Sequence, residues 1–298
     1  MEPYRTGRRY VTVEQPLSPR DYDVPVGWWG WNWEPPVPMS ITEILAAGNM
    51  DARTAALCGL VLEAHGSLLI SAEEPHSGKT TTLTALLDYL PQRTRRIFIR
   101  GWSETFDYLE QTAPLETILL ANELSSHLPV YLWGPKAVRV FSTLGRGYAL
   151  GSTLHADNAR EAVTQLTGEL GVPAVDLARV ELLMVMRIYG SSRGGAERRV
   201  VSLDRLGLQA GAVELTPLVT HDIETDAFTH HREAELALLA EVRGEDASAS
   251  AGVLDRTIAR LDGLLADGTF DIPEVRAAIA ADRGEKAQRV LRGDPVNG

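Results

Sequence analysis

Between residues 39 and 230 the hydrophobic positions switch repeatedly between two rhythms. Ser40 offers an N-cap with Glu43 three residues on, and Ile41, Ile44 and Leu45 begin a stripe at helical spacing that ends near Gly48. Residues 55–64 predict a second helix, stopped at Gly66. Residues 67–71 are then short and almost continuously apolar, as a buried strand is, and 79–90 return to a helical period until Pro91 ends it. The alternation continues with strands at 96–99, 118–121, 148–154 and 184–188, and with helices at about 135–144, 159–170 and 175–182. Apolar strand cores separated by helical stretches predict an α/β domain with a mostly parallel sheet covered on both faces. Past Arg198 the pattern turns to short strands, 199–203, 213–218 and 227–230, which suit an antiparallel edge.

The flanks have a different texture. Residues 1–38 read as an irregular arm, punctuated by Pro16, Pro19, Pro25, Pro35, Pro36 and Pro38 and carrying Trp28, Trp29, Trp31 and Trp33. If extended, Trp29, Trp31 and Trp33 share a face, suited to capping an exposed edge of the body or to an inter-subunit or membrane-interface contact. After His230 come a helix at 233–242, a low-complexity linker at 244–252, a helix at 253–265 and a last helix opened by Asp271 and Pro273. The expected organisation is an arm (1–38), a core (39–230) and a helical C-terminal appendage (231–298).

Composition narrows the function. With 298 residues, 44% hydrophobic and 23% charged, the chain is of the folded globular type. Forty acidic against 29 basic residues give a formal charge of -11, which argues against a general nucleic-acid binder. The single Cys58 makes neither an internal disulfide nor a zinc site, so a reducing, intracellular setting is expected. No run reaches the roughly 18 apolar residues of a spanning helix, and no signal-peptide core follows the arginines near the N-terminus. The expectation is a cytoplasmic protein, any membrane role being peripheral.

The chemistry concentrates at Ser77, Gly78, Lys79, Thr80, Thr81 and Thr82, between the strand at 67–71 and the helix that follows. That is the setting of a P-loop, in which backbone N–H groups at the helix start face an anion, Lys79 would reach the β- and γ-phosphates of a nucleotide, and Thr80 would supply a hydroxyl to Mg²⁺. The pattern departs from the usual one at Glu73, where glycine would let the loop turn tightly, and Glu74 adds a second carboxylate. Glu123 is expected just past the end of the strand at 118–121, where it could hold the metal's water shell and orient an attacking water. Ser152, Thr153 and His155 end another core strand, placed to sense a γ-phosphate.

At these residues the chain resembles the type II secretion, type IV pilus and type IV secretion ATPase superfamily, nearest to the short-form motors of Tad and archaeal pili. Gly147-Tyr148-Ala149-Leu150-Gly151-Ser152-Thr153-Leu154-His155-Ala156 is similar to the family's His box, and Ser77 to Leu83 to its P-loop. The stretch from Ile97 to Glu104 falls at the Asp box, keeping Glu104 but placing Arg100 where a carboxylate is expected; Ala121 to Ser126 falls at the Walker B position, keeping Glu123.

The resemblance implies a RecA-like P-loop core with ATP and Mg²⁺ as cofactors. Ser77, Gly78, Lys79, Thr80 and Thr81 would bind nucleotide, Thr80 and Glu123 the metal, and Glu123, Glu104 and His155 would be catalytic. It also implies a hexameric ring, of this chain alone or mixed with a full-length ATPase, working on an inner-membrane platform protein. Two readings follow. One is an ATP-hydrolysing motor; the other is a catalytically degenerate nucleotide-binding or scaffold component, favoured by the altered loop and by Arg100.

Overall fold

The computed structural model describes residues 38–190 and 195–281, together with residues 5, 6, 9, 10, 21–23, 25 and 28. Its centre is an eight-stranded sheet: β1 (Leu68–Ser71), β2 (Arg95–Phe98), β3 (Thr117–Leu124), β4 (Ala149–Leu154), β5 (Leu182–Gly190), β6 (Ala196–Gln209), β7 (Ala212–Asp222) and β8 (Ala227–His230). Across the sheet the order is β8-β7-β6-β5-β1-β4-β3-β2. The five strands from β5 to β2 run parallel; β6, β7 and β8 extend the sheet antiparallel from β5.

Central position explains the apolar run of β1. Leu68 and Ile70 face one apolar cluster and Leu69 the other, so both faces are covered. The first layer holds α1 (Ile41–Ala46), α2 (Ala52–Glu63), α3 (Lys79–Leu86), α7 (Arg232–Arg243), α8 (Ala247–Ala266) and α9 (Ile272–Ala281). The second holds α4 (Gly134–Leu144), α5 (Ala159–Thr164), continued by the π-helical turn Gln165–Glu169, and α6 (Ala174–Leu177). The Ser40–Glu43 capping box forms as the pattern predicts, and Asp51 caps α2.

Several elements differ from the sequence expectation. Residues 175–182 are not one helix: α6 stops at Leu177, and Leu182 opens β5, because pairing with Leu68 at the sheet centre captures an apolar run that periodicity leaves ambiguous. The edge strands are long, β6 having 14 residues and β7 11, since their outer halves pair with each other and expose polar side chains. The linker expected at 244–252 is mostly helix: Asp246 accepts from Ala249 N–H and starts α8 six residues before Val253. The tail helices pack on the body: Leu238, Leu239, Leu254, Leu261, Val275 and Ile279 belong to the same apolar cluster as α2.

Most of the arm, including Trp29, Trp31 and Trp33, lies outside the described residues. Trp28 is buried, edge-on to Phe98 at 5.5 Å between centroids, and its indole N–H donates to Thr84. Tyr22 is buried edge-on to Tyr108.

Candidate functional site

The parallel strands end together on one side of the sheet, and the predicted site residues gather there. β1 ends at Ser71, whose hydroxyl donates to Ala156 O, while Ala72 N–H donates to Leu154 O; the start of the loop is thereby tied to the end of β4. Residues 72–78 then wrap to the start of α3. His76 and Gly78 both have left-handed backbones, φ 60° and 89°, so the loop takes its turns although His76 is not glycine. The first N–H groups of α3 have no partner within the helix, and Gly78 brings no capping side chain.

Lys79 is buried, its Nζ donating to Ala72 O at 3.1 Å and Glu74 O at 3.5 Å. Burial draws its pKa below the usual lysine value, while Glu123, Glu74 and Glu73 pull the other way. Ser77 is buried with its hydroxyl unpartnered among the described residues, as is that of Thr82. Thr80 and Thr81 lie half-buried in the first turn. Glu73 is exposed, but Glu74 turns one oxygen, Oε2, into a buried and unpartnered position.

Glu123 is not past the strand end but inside β3. A bulge at Asn122 inserts one extra residue between the register pairs Ala121–Ser152 and Glu123–Thr153, and this residue resets which way Glu123 points. Its Oε2 meets His155 Nε2 at 3.3 Å, and its Oε1 is buried without a partner among the described residues. The other ring nitrogen of His155 lies 2.9 Å from Glu73 O. His155 therefore spans from the carboxylate to the loop. The hydrogen bond with Glu123 raises its pKa, against burial and the Lys79 charge.

Glu104 sits in the neighbouring loop and is buried. Its Oε1 accepts from Tyr22 Oη at 2.7 Å and from Phe106 N–H at 2.6 Å; its Oε2 accepts from Arg100 N–H at 3.0 Å. Arg100 is buried as well. Gly101, φ 56°, lets this loop touch the one after β3: a Cβ there would lie 2.5 Å from Pro129 O. The residues after Glu123 fold back so that Leu132 N–H donates to Glu123 O, which accommodates the long segment between Leu124 and Lys136.

Two arginines also reach the site. Arg187 on β5 pairs with Asp157 at 3.3 Å. Arg198 on β6 donates from Nε to His76 O at 3.0 Å, and its Cδ would lie 3.2 Å from a Cβ on Gly78. Sequence reading did not single out either; only the pairing of β5 with β1 and β6 brings them beside the loop.

The residues fit a nucleotide and its metal. Left-handed residues in the loop lead into a helix whose first N–H groups have no partner within the helix, Lys79 is buried beside it, and Glu123 Oε1 and the Ser77 hydroxyl are buried polar atoms without a hydrogen-bond partner among the described residues. Among the described residues no group of three or more His, Cys, Asp and Glu side chains is placed to hold a metal ion. Nor is any described helix long and apolar enough to cross a membrane.

No family model matches the chain. It is similar to the uncharacterized protein MJ0900 of Methanocaldococcus jannaschii, 28% identical over 189 residues, or 57% of this chain and 34% of that protein. Among solved structures it is similar to the ATPase DotB of Yersinia pseudotuberculosis, with a TM-score of 0.41 and 13% identity over 82% of this chain and 63% of that one. The VirB11 ATPase of the Brucella suis type IV secretion system, solved with sulphate, has a TM-score of 0.35 and 17% identity over 51% of each chain. The Legionella pneumophila ATPase DotB has a TM-score of 0.36 and 10% identity, covering 78% and 63%. The chain spans about a third of the length of the curated relative it matches.

Proposed function

We propose that this chain is an ATPase motor of the secretion and pilus-assembly type, binding ATP and coupling its hydrolysis to movement of a membrane platform. The observation that carries the reading is the bridge made by His155: one ring nitrogen on Glu123, the other on the carbonyl of Glu73, at the loop that holds Lys79. Three groups from three separate stretches of sequence meet where the parallel strands end, the usual place for ligands in open α/β sheets.

In this reading Ser77, Gly78, Lys79, Thr80 and Thr81 hold the phosphates through backbone N–H groups and the Lys79 ammonium. The Thr80 hydroxyl, with Glu123 through water, would hold Mg²⁺, which supplies neutralisation of charge on the transferred phosphoryl group. With Oε2 engaged by His155, Glu123 has Oε1 left to accept a proton from, and so orient, an attacking water. His155 then links the occupancy of that oxygen to the loop backbone at Glu73. Glu104, with both oxygens occupied by donors, contributes by holding the Arg100–Phe106 loop in place. A homo-oligomeric ring, or one mixed with a full-length ATPase, acting on an inner-membrane platform from the cytoplasmic side, completes the proposal; the acid excess leaves nucleic acid out of it.

A second reading, a nucleotide-binding or scaffold subunit without turnover, draws support from the buried Arg100 and the fully engaged Glu104. ATP binding and steady-state hydrolysis by the wild type, Lys79→Ala and Glu123→Gln separate them. The motor requires binding that Lys79→Ala abolishes and turnover that Glu123→Gln lowers about a hundredfold or more. Binding without turnover selects the second reading, and no binding at millimolar ATP rules out both nucleotide roles.

A further inference from the structure

The loop is short of positive charge for an anion site. Lys79 is the one Lys or Arg between Ser71 and Pro91, whereas Glu73 and Glu74 lie on the loop and Glu123 is buried at its mouth. His155 is occupied by Glu123. A polyphosphate arriving there meets more carboxylates than cations unless another element supplies a charge.

Arg198 is placed to supply it. Its aliphatic stem lies across Gly78, which has no side chain to obstruct it, and its Nε is anchored on the His76 carbonyl at 3.0 Å. That bond fixes the plane of the guanidinium while leaving both terminal nitrogens uncommitted among the described residues. Its neighbours differ: Arg199 is paired with Asp226 and Glu197, Arg187 with Asp157, and Arg205 with Glu241. An arginine held at one nitrogen, with its fork open beside helix-start N–H groups, matches what bidentate recognition of phosphate oxygens demands.

We propose that Arg198 is a second phosphate-binding cation of this site, delivered within the same chain from the antiparallel half of the sheet, and that it makes the site selective for ligands carrying a polyphosphate. The proposal rests on the reading of residues 73–80 as a nucleotide loop. It adds that Lys79 alone is not sufficient there.

The test is calorimetric titration of ATP, ADP, AMP and inorganic tripolyphosphate into the wild type, Lys79→Ala, Arg198→Gln, Arg198→Lys and, as a same-strand control, Arg205→Gln, each checked for an unchanged melting midpoint without ligand. Arg198→Gln is expected to weaken ATP and tripolyphosphate by roughly tenfold or more and AMP little, with partial recovery in Arg198→Lys and no change in Arg205→Gln. The weakened variant is also expected to show a shallower salt dependence of ATP binding. Wild-type affinity for ATP and tripolyphosphate in Arg198→Gln, alongside loss in Lys79→Ala, overturns this proposal and leaves the nucleotide loop standing. Equal weakening of AMP and ATP overturns the polyphosphate selectivity. Wild-type protein that binds none of the four overturns the loop reading as well.

Discussion

Single residues in this protein hold positions that their side chains do not favour. His76 has φ 60°, a left-handed backbone that costs a side-chain-bearing residue roughly 1–2 kcal/mol. His76→Gly is expected to raise the stability of the unliganded protein by about 1 kcal/mol, read from urea denaturation, with ATP affinity within a few-fold of wild type, since the loop contact to Arg198 uses the residue's carbonyl. His230 shows the opposite case, an environment built for the charged form. Burial works against its charge, but Asp51 at 2.7 Å and Glu235 at 2.8 Å outweigh it and hold the imidazole at about 9, above its ordinary 6.5. A raised folded-state pKa stabilises fully below the unfolded value and is lost as pH rises through the folded one. Thermal stability should therefore fall between about pH 6.5 and 9, and His230→Ala should cost about 2 kcal/mol at pH 6 and flatten that fall.

At the scale of elements, the β6–β7 hairpin turns through Ala210 and Gly211, both left-handed at φ 51° and 81°, the pattern of a two-residue type I′ turn. Ala210→Asn is expected to add about 0.5–1 kcal/mol, visible as a raised urea midpoint at unchanged slope. The same scale shows what a linear reading captures. Gly78, Lys79 and Thr80 are legible because their chemistry is local, a few adjacent residues between a strand and a helix. Glu123 is legible as a strand-end acid, but the bulge at Asn122 that aims it is not, because nothing in residues 117–124 marks an extra residue. Arg198 looks like one charged position among several on a polar strand face, and only β5 standing between β1 and β6 makes it a neighbour of the loop. The linker expectation at 244–252 fails for a related reason: Ala, Ser and Gly at 247–252 resemble a linker in composition, while the Asp246 cap that makes them helical acts through geometry.

For the whole molecule, the shared cluster beneath α2, α7, α8 and α9 means that the tail and body lose their structure together. Leu261 on α8 is fully buried, and Leu261→Ala is expected to cost about 2–4 kcal/mol. That cost should move one cooperative denaturation transition, followed by circular dichroism and by tryptophan emission; a separate early transition confined to the tail would contradict the shared core. Arg276 on α9 with Asp88, at 2.7 Å, and the Thr42 hydroxyl on Thr269 O, at 2.8 Å, fasten the same helices at their far end.

The strand order carries a consequence in time. β5 to β8 follow one another along the chain and zip antiparallel to their immediate neighbours, so their ribbon closes through short loops. β1 has no such neighbour: Leu68 pairs with Gly151 on one side and Leu182 on the other, so the strand that carries the loop is seated only after two long segments have closed around it. During refolding, sheet signal should therefore recover ahead of nucleotide binding. On the proposed nucleotide reading, a nascent chain becomes competent to bind only once β5 has been made, so the loop matures last although its own residues are synthesised early.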